Sequence, residues 1–167
     1  MDSVGQPVTD TETAGAVARP PALFLAALVL GFVADHVLPL PPPVPRIGLV
    51  HWISAGIAGS LVIIGIAVFA AGIRNFLSAA TPVQGTKAAS TLVTSGIHGW
   101  SRNPIYLGMF LLYGGIGLAV RSPWVLILTL PLAITMRYGV VSREEAYLER
   151  RFGDAYRHYR ALVRRWL

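Results

Sequence analysis

Apolar and polar positions follow one another along the chain in long blocks, and the blocks predict helices that cross a membrane. Residues 1–19 are polar and small, with Asp2, Thr9, Asp10, Thr11, Glu12 and Thr13 among them. They have little to bury, so a disordered tail is expected there. This stretch does not read as a secretory signal peptide, because no basic start leads straight into an apolar run. After Pro20-Pro21 an apolar segment occupies 22–38, near the lower limit of about 17 residues for a spanning helix. The run Leu38-Pro39-Leu40-Pro41-Pro42-Pro43-Val44-Pro45 cannot continue that helix. Residues 47–73 offer 27 positions without a formal charge, which predicts a second span. Its glycines Gly56, Gly59 and Gly65 fit either close helix packing or the ordinary glycine content of membrane helices. A polar loop follows over 74–103. Two more apolar runs, 104–120 and 123–141, are separated by Arg121-Ser122-Pro123 and predict a tight helical hairpin.

From Ser142 the chain becomes charged, with seven arginines against four acids in the last 26 residues. Ser142-Arg143-Glu144-Glu145 matches a capping box, with Ser142 as N-cap and Glu145 three residues on. Gly153 suits a helix end, and Asp154 suits the cap of a second short helix. Beyond it Tyr156, Tyr159, Val163 and Trp166 share one helical face, opposite Arg157, Arg160 and Arg164. Such a face lies on the membrane or on the bundle. The expected architecture is an all-α integral membrane helical bundle. It comprises about four transmembrane helices in a single membrane domain, 20–167, and an amphipathic cytoplasmic helical segment at 142–166.

Composition narrows the function classes. Of 167 residues 54% are hydrophobic and only 13% charged, against about 25% charged in soluble domains. Mean hydropathy is +0.58. A disordered chain, a water-soluble charged module and a large multi-domain enzyme are thereby excluded. With no cysteine, a disulfide framework, a thiolate zinc site, an iron–sulfur cluster and a cysteine nucleophile are excluded too. No metal site is expected. The net charge of +6 would suit nucleic acid if it were spread evenly. Arg74, Lys87 and Arg102 instead lie between the second and third spans, and the arginine-rich tail follows the fourth. The positive-inside rule then puts both termini in the cytoplasm, with a bacterial plasma membrane as the expected location. Membrane lipids, rather than nucleic acid, are the expected partners; the oligomeric state is open.

Polar groups gather beside the apolar helices in two stretches. One runs Thr94-Ser95-Gly96-Ile97-His98-Gly99-Trp100-Ser101-Arg102-Asn103-Pro104-Ile105-Tyr106-Leu107-Gly108; the other begins Arg143-Glu144-Glu145-Ala146-Tyr147-Leu148 and continues to Phe152-Gly153-Asp154-Ala155-Tyr156. The hairpin brings both to one membrane face. Taken singly, each residue has an ordinary reading. Asn103-Pro104 is a regular helix start, Arg102 a positive-inside anchor, Tyr106 a packed interfacial aromatic, and His98 a structural loop residue.

Taken together, the two stretches resemble the isoprenylcysteine carboxyl methyltransferase family, whose membrane layout the phospholipid N-methyltransferases share. The resemblance covers about 84–167. It implies an S-adenosylmethionine cofactor held by the loop before the hairpin, an Arg-His-Pro-x-Tyr element and the glutamates after it. By position, the stretch Ser90-Thr91-Leu92-Val93 would lie along the cofactor, and Gln84 would add a contact. Arg102, Asn103, Pro104 and Tyr106 stand on the Arg-His-Pro-x-Tyr element, and Glu144, with Glu145 beside it, on the cofactor-binding glutamate. His98 stands where that family commonly has an aromatic; it is the nearest candidate for a general base, and Arg102 the candidate to hold the cofactor carboxylate. Two departures bear on the acceptor. Asn103 replaces a histidine, and Val140 replaces an arginine that helps the prenylcysteine carboxylate; Arg137, one turn back, can partly substitute as a substrate contact. The activity implied is methyl transfer to a lipophilic small molecule, lipid or prenylcysteine-like acceptor. Two alternatives stand beside it: a membrane reductase using a nicotinamide cofactor, and a non-catalytic membrane protein of the same fold. The reductases carry Gly-Asp where this chain has Gly108-Met109.

Overall fold

The computed structural model describes residues 19–79 and 90–167. The expected 1–19 tail, save Arg19, and the Gln84 contact lie outside the described residues. Among these residues six α-helices follow one another: α1 (Pro20–Val37), α2 (Leu49–Ser78), α3 (Pro104–Ala119), α4 (Pro123–Thr135), α5 (Ser142–Phe152) and α6 (Asp154–Leu162). A 3₁₀ turn, Gly96–Gly99, precedes α3, and a π turn, Met136–Val141, joins α4 to α5. Among the described residues there is no strand, and the molecule is a membrane helical bundle. Helices α1, α2 and the continuous run Pro123–Phe152 are long and apolar enough to cross a bilayer. The fourth apolar helix, α3, has 16 residues and is therefore about 24 Å long, shorter than a hydrocarbon core of about 30 Å.

Local chemistry explains where the elements start and stop. Pro20 and Pro21 occupy the first turn of α1, where a missing N–H costs nothing, so this helix starts two residues ahead of the apolar run. Helix α2 continues to Ser78, five residues past the expected end. Arg74 does not terminate it, because Phe76 beyond it is buried and holds the last turn down. The hairpin between α3 and α4 turns on Arg121, with φ at 57°, and the Ser122 hydroxyl accepts from the Val125 amide at 3.0 Å.

The capping box at Ser142 does not form. Val141 has helical φ/ψ of −58° and −46°, so the chain never leaves the helix there. The Ser142 hydroxyl donates back to the Arg137 carbonyl at 2.7 Å, and Glu145 is engaged elsewhere. Asn103 and Asp154 likewise make no side-chain cap. Asn103 precedes α3 without a capping bond, and Asp154 pairs with Arg157 at 2.6 Å. The shared face of Tyr156 and Tyr159 turns onto the bundle, where both are buried. Val163 is already extended, so Trp166 lies beyond that helix.

Helices α2 and α3 run antiparallel along a glycine seam. Gly72 faces Ile105, Gly65 faces Gly108 and Leu112, and Gly115 faces Ala58 and Val62. The two glycine readings therefore separate by position. A Cβ on Gly65 would stand 2.8 Å from the Leu112 amide nitrogen, whereas Gly56 and Gly59 have nothing within 4 Å. Helix α1 packs on α4, Gly31 against Val125, and the Trp124 indole donates to the Leu38 carbonyl at 2.7 Å. Phe24, Tyr113, Val125, Met136 and Val140 form the buried core. Leu30, Val33, Ile63, Ile64 and Leu130 are exposed, as expected of surfaces that face lipid tails rather than water.

Gly108→Ala should destabilise the bundle by about 1–3 kcal/mol, because its methyl would meet backbone atoms of Phe69 and Gly65 at 2.7 and 2.8 Å. Gly59→Ala, which meets nothing, should be neutral. Thermal unfolding of both variants in detergent is the check, and equal losses would contradict the seam.

Candidate functional site

Polar side chains converge where the end of α2, the 3₁₀ turn, the start of α3, α5 and α6 meet. Asn75, near the end of α2, donates to the Ser95 carbonyl at 2.8 Å and lies 3.3 Å from Nδ1 of His98. Gly96 makes that approach possible: its φ is +58°, and a Cβ there would fall 2.5 Å from the Asn75 amide nitrogen. His98 is buried, edge-on to Phe76 with ring centroids 5.0 Å apart. Its carbonyl accepts from the Tyr159 hydroxyl at 2.6 Å.

The glutamates of α5 are both buried, Glu144 to 3% exposure. Glu144 Oε1 accepts from the Tyr106 hydroxyl at 2.6 Å. Glu145 sits between two guanidinium groups, Arg102 at 3.2 Å and Arg165 at 2.6 and 3.0 Å. Arg102 Nη1 also lies 3.5 Å from the Tyr156 hydroxyl. The C-terminal residues strap this cluster down. The Arg102 amide donates to the Arg164 carbonyl at 3.0 Å. The Arg165 carbonyl accepts from Asn103 Nδ2 at 3.0 Å and from the Ser101 hydroxyl at 3.3 Å.

Burial sets the protonation states outside the spans. It lowers the His98 pKa to about 4, so the ring is neutral at pH 7. If Asn75 donates to Nδ1, the ring proton is left on Nε2. A ring this weakly basic is a poor proton acceptor at neutral pH, and its geometry suits shaping the site. Burial, followed by the nearby Glu145 charge, pushes Tyr156 up to about 12. Burial also raises Tyr159. Both remain hydroxyl donors. The hydrogen bond to Glu145 raises Arg165.

A cavity of about 20 Å³ lies within the cluster, lined among others by Phe76, Leu92, Val93, His98, Arg102, Asn103, Glu144, Glu145, Tyr156 and Tyr159. Two buried atoms of its lining residues, Arg102 Nε and Glu144 Oε2, have no hydrogen-bond partner among the described residues. Leu92, Val93, His98, Arg102, Asn103, Glu144 and Glu145 thus come together, and Tyr106 reaches them through Glu144. Pro104 and Arg137 do not join them. Pro104 lines an apolar groove of about 350 Å³ with Trp100, Leu107 and Leu167. Arg137 lines another of about 530 Å³ with Leu107, Phe110, Ile134, Tyr138 and Trp166. Its guanidinium stands 5.5 Å from the Tyr138 ring centre. Val140 is wholly buried in the core.

Sequence reasoning missed Asn75, Phe76 and Arg165, placed Tyr156 only at the end of the second polar stretch without a role, and gave Tyr159 no place in the site. The shared tyrosine face was a usable signal. For Arg165 there was none, because its backbone carbonyl carries half of its role.

Residues 54–155 match a family model described as "PEMT: Phospholipid methyltransferase". A protein of Haemophilus influenzae (strain ATCC 51907 / DSM 11121 / KW20 / Rd), described as "Uncharacterized protein", is 63% identical over 27 residues. That match covers 16% of this chain and 43% of the relative's length. No solved structure matches the chain.

Because the folded-state pKa of His98 lies near 4 and its unfolded value near 6.5, the unfolded chain binds the proton more readily between those values. The stability linked to His98 is therefore complete above about pH 6.5 and lost as pH falls toward 4. In detergent, the unfolding midpoint of His98→Gln should fall less between pH 7 and 4.5 than that of the parent. Parallel pH curves would show that His98 is not buried as described.

Proposed function

Since the chain belongs to the phospholipid methyltransferase family, we propose that it is a membrane-embedded enzyme moving a methyl group from S-adenosylmethionine to a lipophilic acceptor. The observation that carries this reading is the buried pair of unpartnered atoms, Arg102 Nε and Glu144 Oε2, on residues that line one cavity. A buried polar atom left unpaired costs roughly 1–3 kcal/mol, and an unpaired donor and an unpaired acceptor on residues of one cavity suit a ligand that carries both kinds of group. S-adenosylmethionine is such a ligand, with a carboxylate, an ammonium and ribose hydroxyls.

Arg102 would hold the carboxylate through charge-assisted bonds. Glu144, steadied by Tyr106 at 2.6 Å, would accept from the ammonium or a ribose hydroxyl. Leu92, Val93 and Phe76 would provide the apolar wall for the adenosyl group. Asn103 would contribute by fixing the Arg165 carbonyl rather than by contact. When bound, the sulfonium supplies an electrophilic methyl group that needs little activation, so the protein's task is orientation and exclusion of water. Buried Tyr156 and Tyr159 close the cavity against water. His98, neutral and bonded through both ring and backbone, would hold the 3₁₀ turn in place as a positioning residue.

For the acceptor, the groove at Arg137 combines apolar walls with one cation. It suits a lipophilic molecule carrying an anionic group and entering sideways from the bilayer. The Lys/Arg distribution would put the donor cavity on the cytoplasmic side.

The test is S-adenosylmethionine binding to the purified protein in nanodiscs, with Glu144→Gln alongside. Saturable binding is expected, weakened on the order of 10- to 150-fold in the variant by loss of a charged hydrogen bond. Absence of binding to the folded parent would overturn the reading. Arg137→Ala should raise the acceptor KM and leave the donor Kd unchanged; a shift in donor Kd instead would remove Arg137 from the acceptor side.

A further inference from the structure

The cavity beside Glu144 and Glu145 has a volume of about 20 Å³, room for about one water. Small-molecule sites are roughly 300–1,000 Å³. If the donor binds there, as proposed above, a wall has to move. The end of α2 and the start of α3 are fixed by the glycine seam, and α5 is the direct continuation of a membrane helix. Among the described residues two further walls remain, the segment with Thr91, Leu92, Val93 and His98, and α6, whose Tyr156 and Tyr159 line the cavity; of the two, α6 with residues 163–167 behind it is the one tied to Glu145 by an ion pair.

This wall is built as a separable unit. Gly153, at φ +53°, breaks the helix between α5 and α6. The outer face of α6, with Arg157, His158 and Arg160, is exposed. The inner attachment consists largely of polar bonds: Tyr159 to the His98 carbonyl, the Arg164 and Arg165 carbonyls to residues 101–103, and the Arg165 guanidinium on Glu145. Ring packing adds to them, with Tyr156 and Tyr159 buried and Trp166 edge-on to Phe110 at 6.1 Å. A short terminal helix with one exposed face, tied down in part by polar bonds that water can replace, opens at lower free-energy cost than the core helices.

We propose that α6 and residues 163–167 form a lid that turns on Gly153 to admit the methyl donor, with the Arg165–Glu145 ion pair as its latch. In the closed state Arg165 neutralises a carboxylate beside Glu144. When the lid lifts, Glu145 keeps only Arg102 as its partner, and the site loses one positive charge facing the cationic donor.

Two measurements test the lid, one of them independent of the donor. Hydrogen exchange on the ligand-free protein in nanodiscs should show Arg165→Gln exchanging about tenfold faster or more over α6 and at the Arg102 amide, with α2 and α3 unchanged. Exchange over α6 as slow as in α3 in both proteins would overturn the proposal. The second uses the absence of native cysteine. In Phe110→Cys/Trp166→Cys, a short bis(methanethiosulfonate) cross-linker, which forms a disulfide with each thiol and releases sulfinate, ties the strap to α3. S-adenosylmethionine association should slow at least tenfold when linked and recover on reduction, while Arg165→Gln should speed it. Association at the same rate in linked and reduced protein would also overturn the lid. If Arg165→Gln loosens α6 but reduced and parent proteins bind no S-adenosylmethionine, the hinged opening stands and the donor reading fails.

Discussion

A Cβ on Gly108 would stand 2.7 Å from the Phe69 amide nitrogen and 2.8 Å from the Gly65 carbonyl, distances that real Cβ atoms do not reach. Helices α2 and α3 meet at this separation only because neither position carries a side chain. Association within lipid gains nothing from expelling water and rests on such close packing. The position of the polar cluster follows from it. With Gly72 against Ile105, the last turn of α2 comes down beside the start of α3. Asn75 and Phe76 are thereby delivered to His98, and Tyr106 is aimed at α5.

The second constraint is electrical. Three ionisable side chains, Arg102, Glu144 and Glu145, are held at roughly a tenth exposure or less. Removing one partner from a buried ion pair commonly costs about 3–5 kcal/mol, because a charge is left uncompensated. The fold answers this with Arg165, which reaches Glu145 from the far end of the chain. A lipid-facing bundle of apolar helices does not need such a cluster for stability, since apolar residues of similar volume would pack as well. Stability alone therefore does not account for its presence.

The spans were legible because the apolar blocks are long and their breaks are proline-rich or charged. The glutamates and the Arg102–Tyr106 stretch were legible as a combination of residue types on one membrane face. Three features were hidden, each for a physical reason. The end of α2 was misplaced because Arg74 looks like a boundary in a hydropathy profile, although a long cation at a helix end can reach out of the bilayer. Ser142 matched a cap by residue type, yet a cap requires the chain to leave helical φ/ψ, and nothing in Tyr138-Gly139-Val140-Val141 compels it to. The strap was invisible because the Arg164 and Arg165 carbonyls do much of its bonding, and a carbonyl has no sequence signature.

The failed cap and the buried glutamates have one origin. After α4 the chain adopts a π turn over Met136–Val141 instead of ending. A π turn carries an extra residue, and one extra residue rotates everything beyond it by about 100° around the helix axis. That rotation buries Val140 and Val141 in the core and carries Glu144 and Glu145 to the face that meets Tyr106 and Arg102. In an unbroken α-helix from Pro123 the same glutamates would point about a quarter-turn away. The π turn is thus the local distortion that converts a membrane span into one wall of a polar site, in keeping with the frequency of such turns at functional positions.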